Sequence, residues 1–233
     1  MRNINIFQYR DFRLKTLISG FRGIGQVGYF TIKYLIDKLN MERVAIIDTP
    51  YMQPVVVVED HYLSYPIEIY GLNDLGVLKI EDIPTNRVGA ILIHNILKLI
   101  KERGLERMIL IGGLVSSLRE GDEYARIVTN SYWGEESRLR YSHRDVRILG
   151  PLAYALTYSE ILQIPTLAIL AYADSEKPVD AMGIYYAVET LKNFIELTID
   201  TSDLINMAKE IEERIREVTK EMEDEAKKYK YYT

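Results

Sequence analysis

The sequence contains no cysteine. Disulfides, thiolate metal sites and a cysteine nucleophile are therefore excluded. Its three histidines, His61, His94 and His143, form no H-E-x-x-H or similar metal-binding spacing. No apolar run approaches the ~18 residues that a membrane-spanning helix needs. The opening stretch MRNINIFQYRDFRLK alternates charged and apolar residues and lacks the apolar segment of a signal peptide. An excess of positive charge is missing as well: Lys and Arg number 29 against 34 Asp and Glu, a net charge of −5. Nucleic-acid binding needs clustered cations against the phosphates, so the balance offers no footprint for it. These absences lead to the expectation of a cytoplasmic protein with no metal, no nucleic-acid partner and no membrane association.

What the chain does have is enough apolar material for a core. Hydrophobic residues make up 48% and charged residues 27% of 233, which excludes wholesale disorder. Tyrosine is abundant, 18 against 5 Phe and 1 Trp. A tyrosine buries its ring and keeps its hydroxyl near water or a partner, which suits a protein rich in interfaces.

Periodicity predicts an α/β fold. Leu14–Phe21 reads as a buried strand, Gly25–Leu39 as a helix with Val27, Phe30, Tyr34 and Leu35 on one face, and Arg43–Ile47 as a second buried strand. This β–α–β opening is the unit of a parallel sheet. Val55–Val58, Ser64–Tyr70 and Gly76–Ile80 then read as a meander of short strands. Pro84–Arg103 is predicted helical, Arg107–Ile111 and Arg126–Asn130 extended, Tyr154–Leu162 helical, Pro165–Ala171 a buried strand, and Pro178–Phe194 a helix with Pro in its first turn. The expected organisation is a core of residues 1–198 followed by a C-terminal helix over 199–233.

That final segment differs from the rest. From Thr201 to Lys230 there is neither Gly nor Pro, and Thr201-Ser202-Asp203 offers helix caps. Leu204, Ala208, Ile211, Ile215, Val218 and Met222 follow at spacings of 4, 3, 4, 3 and 4, the seam of a coiled coil. A run of about 28 residues makes a rod of about 40 Å. One arrangement lays this helix on the core. The narrow stripe favours another, in which the helix projects and bundles with copies of itself.

Gly23-Ile24-Gly25-Gln26-Val27-Gly28 is a literal G-x-G-x-x-G between a predicted strand and helix, and Asp48 lies twenty residues beyond Gly28. This is the pattern of a dinucleotide site: backbone close to a pyrophosphate and an acid on the ribose. It supports an alternative reading, a nucleotide-binding α/β enzyme of dehydrogenase or phosphorylase-like type. Two features oppose it. The strand ends near Ser19-Gly20, so Phe21-Arg22 intervenes before the first fingerprint glycine. A Pro- and Tyr-rich meander follows Asp48 where a dinucleotide fold continues with helix and strand. The favoured reading is that the glycines make a tight turn and let the helix approach the sheet, with no cofactor bound. Ser142-His143-Arg144-Asp145 lacks the other parts of a kinase catalytic loop. Ser116 and Ser117 read as turn residues, and no catalytic constellation emerges.

The chain ends Tyr231-Tyr232-Thr233. An apolar residue, a Tyr and any terminal residue is similar to the docking tails of proteasome activators, where a basic group captures the carboxylate and the Tyr packs at a pocket rim.

Taken in order, Gly20 to Gly28, Met108-Ile109-Leu110-Ile111-Gly112-Gly113, Val128-Thr129-Asn130, and Ala171-Tyr172-Ala173 leading to Pro178-Val179-Asp180-Ala181 resemble the archaeal homologues of the eukaryotic proteasome assembly chaperones, the PbaA/PbaB type. The resemblance covers about residues 14–218, with a departure at Pro178-Val179-Asp180, where many relatives read Pro-Asp or Pro-Glu. It implies a three-layer α/β/α sandwich of phosphorylase-like shape, homo-oligomers with extended C-terminal helices, and a non-enzymatic, ATP-independent chaperone role on proteasome α-subunits or the α-ring.

Overall fold

The computed structural model describes residues 4–52, 55–59, 62–134, 139–211 and 213. Strand β1 (Asn5–Gln8) precedes the predicted opening β2 (Thr16–Gly20), α1 (Val27–Lys38) and β3 (Glu42–Asp48). The meander is β4 (Val57–Glu59), β5 (Tyr62–Ser64), β6 (Ile67–Leu72) and β7 (Leu75–Ile80). Then come α2 (Arg87–Lys101), β8 (Arg107–Val115), β9 (Ala125–Thr129), α3 (Pro151–Ile161), β10 (Thr166–Ala173) and α4 (Ala181–Leu191). A fifth helix, α5, starts at 202 and is followed to 211.

Eight strands form one sheet in the order β1-β3-β6-β7-β2-β8-β10-β9, and β4 and β5 make a separate hairpin. The centre, β7-β2-β8-β10, is parallel. Strands β6 and β9 join antiparallel on either side, and β1 closes the edge antiparallel to β3. The opening β–α–β unit is parallel as expected, but its two strands are not neighbours: the β6–β7 hairpin is inserted between them. The sequence missed β1 because its alternation is that of an edge strand with one covered face, as Ile4 and Ile6 pack on the core while Phe7 is exposed.

Alternation along each strand sorts the core into two layers. Leu17, Leu78, Met108, Leu110 and Ala168 face α2 and α3. Ile18, Val77, Ile109, Ile111 and Ile169 face α1 and α4. Helices thus cover both faces of the sheet, the expected α/β/α sandwich. Helix α2 is capped by Asn86, whose side chain accepts from the Val88 amide at 2.9 Å. Helix α4 starts later than predicted, because Asp180 caps it through Met182 N at 3.1 Å and leaves Pro178 outside.

The apolar runs β6 and β7 each carry a buried charge. Glu68 is fully buried, and its carboxylate takes Arg43 Nη1 at 2.6 Å, Lys79 Nζ at 3.0 Å, and the hydroxyls of Ser64 and Tyr70 at 3.1 Å. Lys79 also bonds Ser64 and lies 2.9 Å from Glu81 Oε1. Glu81 Oε2 accepts from the Tyr29 hydroxyl at 2.6 Å. Burial alone would raise the Glu81 carboxyl, but Lys79 and Tyr29 bonding to it, with the charge of Arg22, hold it below its ordinary 4.5. Burial would lower Lys79, and Glu81 and Glu68 outweigh that and keep it above 10.5.

Removing one member strands the others. Lys79→Met should destabilise the fold by about 3–5 kcal/mol in urea denaturation, because Glu68 and Glu81 stay buried with less compensation. The pH dependence follows from the two shifts. The depressed Glu81 contributes stability above its unfolded value of 4.5, lost as pH falls through the folded one. The raised Lys79 contributes below 10.5, lost as pH rises through its folded value. In Lys79→Met both limbs should flatten; an unchanged acid limb would show that Glu81 does not depend on Lys79.

Candidate functional site

The glycine-rich turn connects β2 to α1 at the carboxyl end of the parallel strands. A single 3-10 turn, Ile24–Gln26, leads into the helix, with Gly25 at φ 54° and Gln26 at φ 49°. Gly28 lies against the sheet backbone: a Cβ there would meet Ile111 O at 2.5 Å and Phe21 O at 2.6 Å. Gly20 is equally confined: a Cβ there would meet Gly28 O at 2.4 Å. Gly25 faces Asp180 and Ala173, where a Cβ would come to 2.9 and 3.1 Å. Gly23 has an extended φ of −176° and open space around it. Two of the three fingerprint glycines are thus held by packing within the chain.

Neighbouring loops are tied to this turn. Gly25 O accepts from Asp180 N at 3.0 Å, and Gln26 Nε2 donates to Pro178 O at 2.9 Å. Arg22 donates to Gln26 Oε1 at 2.7 Å and to Glu81 O at 2.9 Å, with its guanidinium 4.0 Å above the Tyr29 ring. Asp180, 4% exposed, spends both carboxylate oxygens on backbone amides, those of Asp174 and Met182. The sequence reading, with Pro178 in the first helical turn, passed over the signal for this role: Asp180 stands just before the apolar Ala181-Met182, the place of a cap.

The structure does not bring Asp48 to the glycines. It sits exposed at the end of β3, paired with Asn5 of β1. Three strand positions separate β3 from β2, about 14 Å at ~4.8 Å per strand, whereas the ribose-binding acid of a dinucleotide fold lies on the neighbouring strand. The remaining candidates are dispersed. His94 lies on α2 with its ring 4.9 Å from that of Tyr158. His143 Nε2 contacts Leu118 O at 3.0 Å, Ser116 and Ser117 are exposed in a 3-10 turn after β8, and His61 lies outside the described residues. Among the described residues no cluster of three or more His, Asp or Glu could hold a metal ion, and no helix is long and apolar enough to cross a membrane.

The root of the C-terminal helix is built from side chains of α1 and α4. The Tyr34 hydroxyl donates to Asp203 Oδ1 at 2.8 Å and to Asp200 O at 3.0 Å, and Lys38 pairs with Asp203 Oδ2 at 2.8 Å. Thr201 Oγ1 donates to Glu189 at 2.6 Å, and Lys192 donates to Ile199 O at 3.1 Å. Leu204 is 4% exposed and packs with Ile184, Val188 and Phe30. Ala208 is buried as well, and Ile211 is half-buried. The first two positions of the heptad line are therefore covered within their own chain. Ile215, Val218, Met222, Tyr231, Tyr232 and Thr233 lie outside the described residues.

Tyrosines serve both inside and outside. Tyr29, Tyr70 and Tyr172 are buried with hydroxyls on charged partners. Tyr124, Tyr185 and Tyr186 form a surface cluster, with Tyr124 and Tyr186 stacked at 4.7 Å under Arg119. The hydrogen bond to Tyr124, with burial, pushes the Tyr185 phenol up to about 12.

Comparison with known proteins places this architecture. The profile of the PAC2 family matches residues 17–219. PbaB of Pyrococcus furiosus, described as an archaeal proteasome activator, superposes with a TM-score of 0.75 at 21% identity over 94% of this chain and 100% of that one. PbaA of the same organism, described as an archaeal homolog of proteasome-assembly chaperone, gives 0.80 at 18% over 97% and 96%. A proteasome-assembly chaperone homologue of Mycobacterium tuberculosis gives 0.64 at 15% over 87% and 94%. At these identities the likeness is one of fold. No curated protein matches the chain.

The two glycine roles separate by mutation. Gly28→Ala should lower the melting temperature sharply, because the added methyl meets backbone at both sides and the helix must move. Gly23→Ala, in open space at an extended φ, should be close to neutral. Thermal shift with NAD or ATP should show no saturable response in the unmodified chain; a response lost in Asp48→Ala would promote the nucleotide reading.

Proposed function

Because the chain belongs to the PAC2 family, we propose that it is a non-enzymatic, ATP-independent assembly chaperone that works in the cytoplasm as a homo-oligomer and binds proteasome α-subunits. The observation that carries this reading is the family match over nearly the whole sandwich, residues 17–219. The fold shared with PbaA, a homolog of proteasome-assembly chaperone, and with PbaB, a proteasome activator, supports it. The core of residues 1–198 supplies the scaffold, and the segment 199–233, which opens with α5, carries the contact with the client.

The root at Tyr34, Lys38 and Glu189 sets the direction in which that helix leaves the core. The heptad line that begins with Leu204 and Ala208 continues to Ile211, Ile215, Val218 and Met222, and these we assign to contact between copies. Tyr231, Tyr232 and Thr233 form the docking tip, with Lys227, Lys228 and Lys230 keeping the approach solvated. Several weak tails on one oligomer raise the effective concentration without new contacts.

The test is α-subunit binding by the full chain and by a truncation ending at Lys230. The truncation should bind far more weakly at unchanged oligomer mass, and equal binding would move the client contact elsewhere. Tyr232→Phe removes only the hydroxyl and should cost about 0.5–1.5 kcal/mol per tail if that hydroxyl is bonded. Ile215→Asp should loosen the helices while the core keeps its melting transition, since a buried unpaired charge is costly at a seam.

A further inference from the structure

From β2 the chain passes through α1 to β3 on one side of the sheet, and from β8 it passes to β9 and β10 on the other. Connections that leave two neighbouring strands in opposite directions open a crevice at their carboxyl ends, the usual place for a ligand in such a sheet. Here the crevice holds a recessed cavity of about 280 Å³, between the glycine turn, the end of β8, the first turn of α3 and the segment 146–149 before it. Apart from Arg22 and Arg147, the side chains that line it are apolar, Phe21, Ile24, Ile148, Leu152 and Leu170 among them. No Asp or Glu among the described residues lines it, in a chain whose net charge is −5. The two arginines differ. Arg22 is spent on Gln26 Oε1, Glu81 O and the Tyr29 ring. Arg147 is exposed and has no hydrogen bond or ion pair among the described residues. It also lines an adjoining open cleft with His143, Arg144, Asp145 and Glu120, the last of which bonds Arg126. Arg147 thus stands where an apolar recess gives way to a polar, wet one.

We propose that this cavity binds a short apolar monocarboxylate, its hydrocarbon body in the recess and its carboxylate on Arg147. Lining, charge and volume select this class. The apolar walls offer no side-chain partner for the hydroxyls of a sugar, whose burial without hydrogen bonds is costly. They also lack the acid that holds a ribose, which agrees with the absence of a response expected for NAD or ATP. The one uncommitted cation at the mouth matches a single negative charge, and a guanidinium fork fits a carboxylate with two parallel bonds. A cavity of about 150 Å³ holds benzene, so one of this size takes roughly ten non-hydrogen atoms. A straight-chain acid of about eight carbons has that size. Leu149, next to Arg147 and 79% exposed, lines the cavity as well; a bound chain would give this apolar side chain a partner.

The test uses the full chain alone. Neither α-subunits nor oligomer mass enters it, so this site and the proposed chaperone role can fail separately. Octanoate titrated by calorimetry should bind saturably, one per chain, with a Kd of about a millimolar or below, which is what roughly ten atoms supply. Octan-1-ol, of the same length without the charge, should bind at least about fivefold more weakly. Octylamine, a cation at neutral pH, should bind more weakly still. Arg147→Glu should reverse the order of acid and amine at an unchanged melting temperature, because the side chain is exposed and unpaired among the described residues. Leu149→Glu, also exposed, should weaken octanoate at least about fivefold by like charge at the mouth. If Arg147→Glu fails to fold, Leu149→Glu and the comparison of the three probes decide. No saturable octanoate binding up to about 10 mM, octylamine binding the unmodified chain as tightly as octanoate, or octanoate affinity unchanged in the folded variants would overturn the proposal.

Discussion

Everything that distinguishes this chain from a bare sandwich hangs on the seating of α1. At Gly28 the helix backbone meets the sheet backbone with no side chain between them. At that closeness its side chains reach elements that a more distant helix would miss. Tyr29 touches Glu81 at the end of β7, Lys33 holds Glu59 of the β4–β5 hairpin, and Tyr34 and Lys38 fasten the root of α5. One helix thus spans three separate structures, and the glycine turn that admits it has no room for a larger residue at Gly20 or Gly28.

The same helix helps enclose a set of charges whose burial is costly. Taking Glu68, Lys79 and Glu81 out of water is repaid by their pairing with one another and by the bonds from Arg43, Ser64, Tyr70 and Tyr29. Apolar residues of similar volume would be as stable or more so. What the charges add is direction: Arg43, Ser64 and Tyr70 converge on Glu68 from β3, β5 and β6. Through Ser64 and Glu59 these charges tie the β4–β5 hairpin to the sheet and to α1.

Much of the secondary structure was legible in the sequence. Helices α1 and α2, strands β2, β3, β7, β8 and β10, and the meander follow from apolar period and from Gly and Pro punctuation. Strand order was not legible. A β–α–β pattern implies neighbouring strands, and nothing local in β6 or β7 says that their hairpin enters between β2 and β3. This is why Asp48, at the spacing of a ribose-binding acid, ends three strands from the glycines. The buried charges were visible as Glu68 and Lys79 inside apolar runs, but their pairing depends on register, which arises from the whole sheet. The heptad line was plain in its spacing, yet the same apolar residues suit a partner helix or the chain's own core, and Leu204 and Ala208 are buried within the chain.

The sheet order also sets a timetable for synthesis. The central parallel strands β2, β8 and β10 come from residues near 16, 107 and 166. On a ribosome adding about 5–20 residues per second, β8 waits roughly 3–12 s for the strand that covers its second edge. The β6–β7 hairpin, whose partners are adjacent in sequence, can close in microseconds. During that wait β8, Arg107–Val115, with its run of buried Met108, Ile109, Leu110 and Ile111, offers an open parallel edge. A protein whose fold must be finished by a late strand is itself exposed, while nascent, to the mispairing that chaperones exist to prevent.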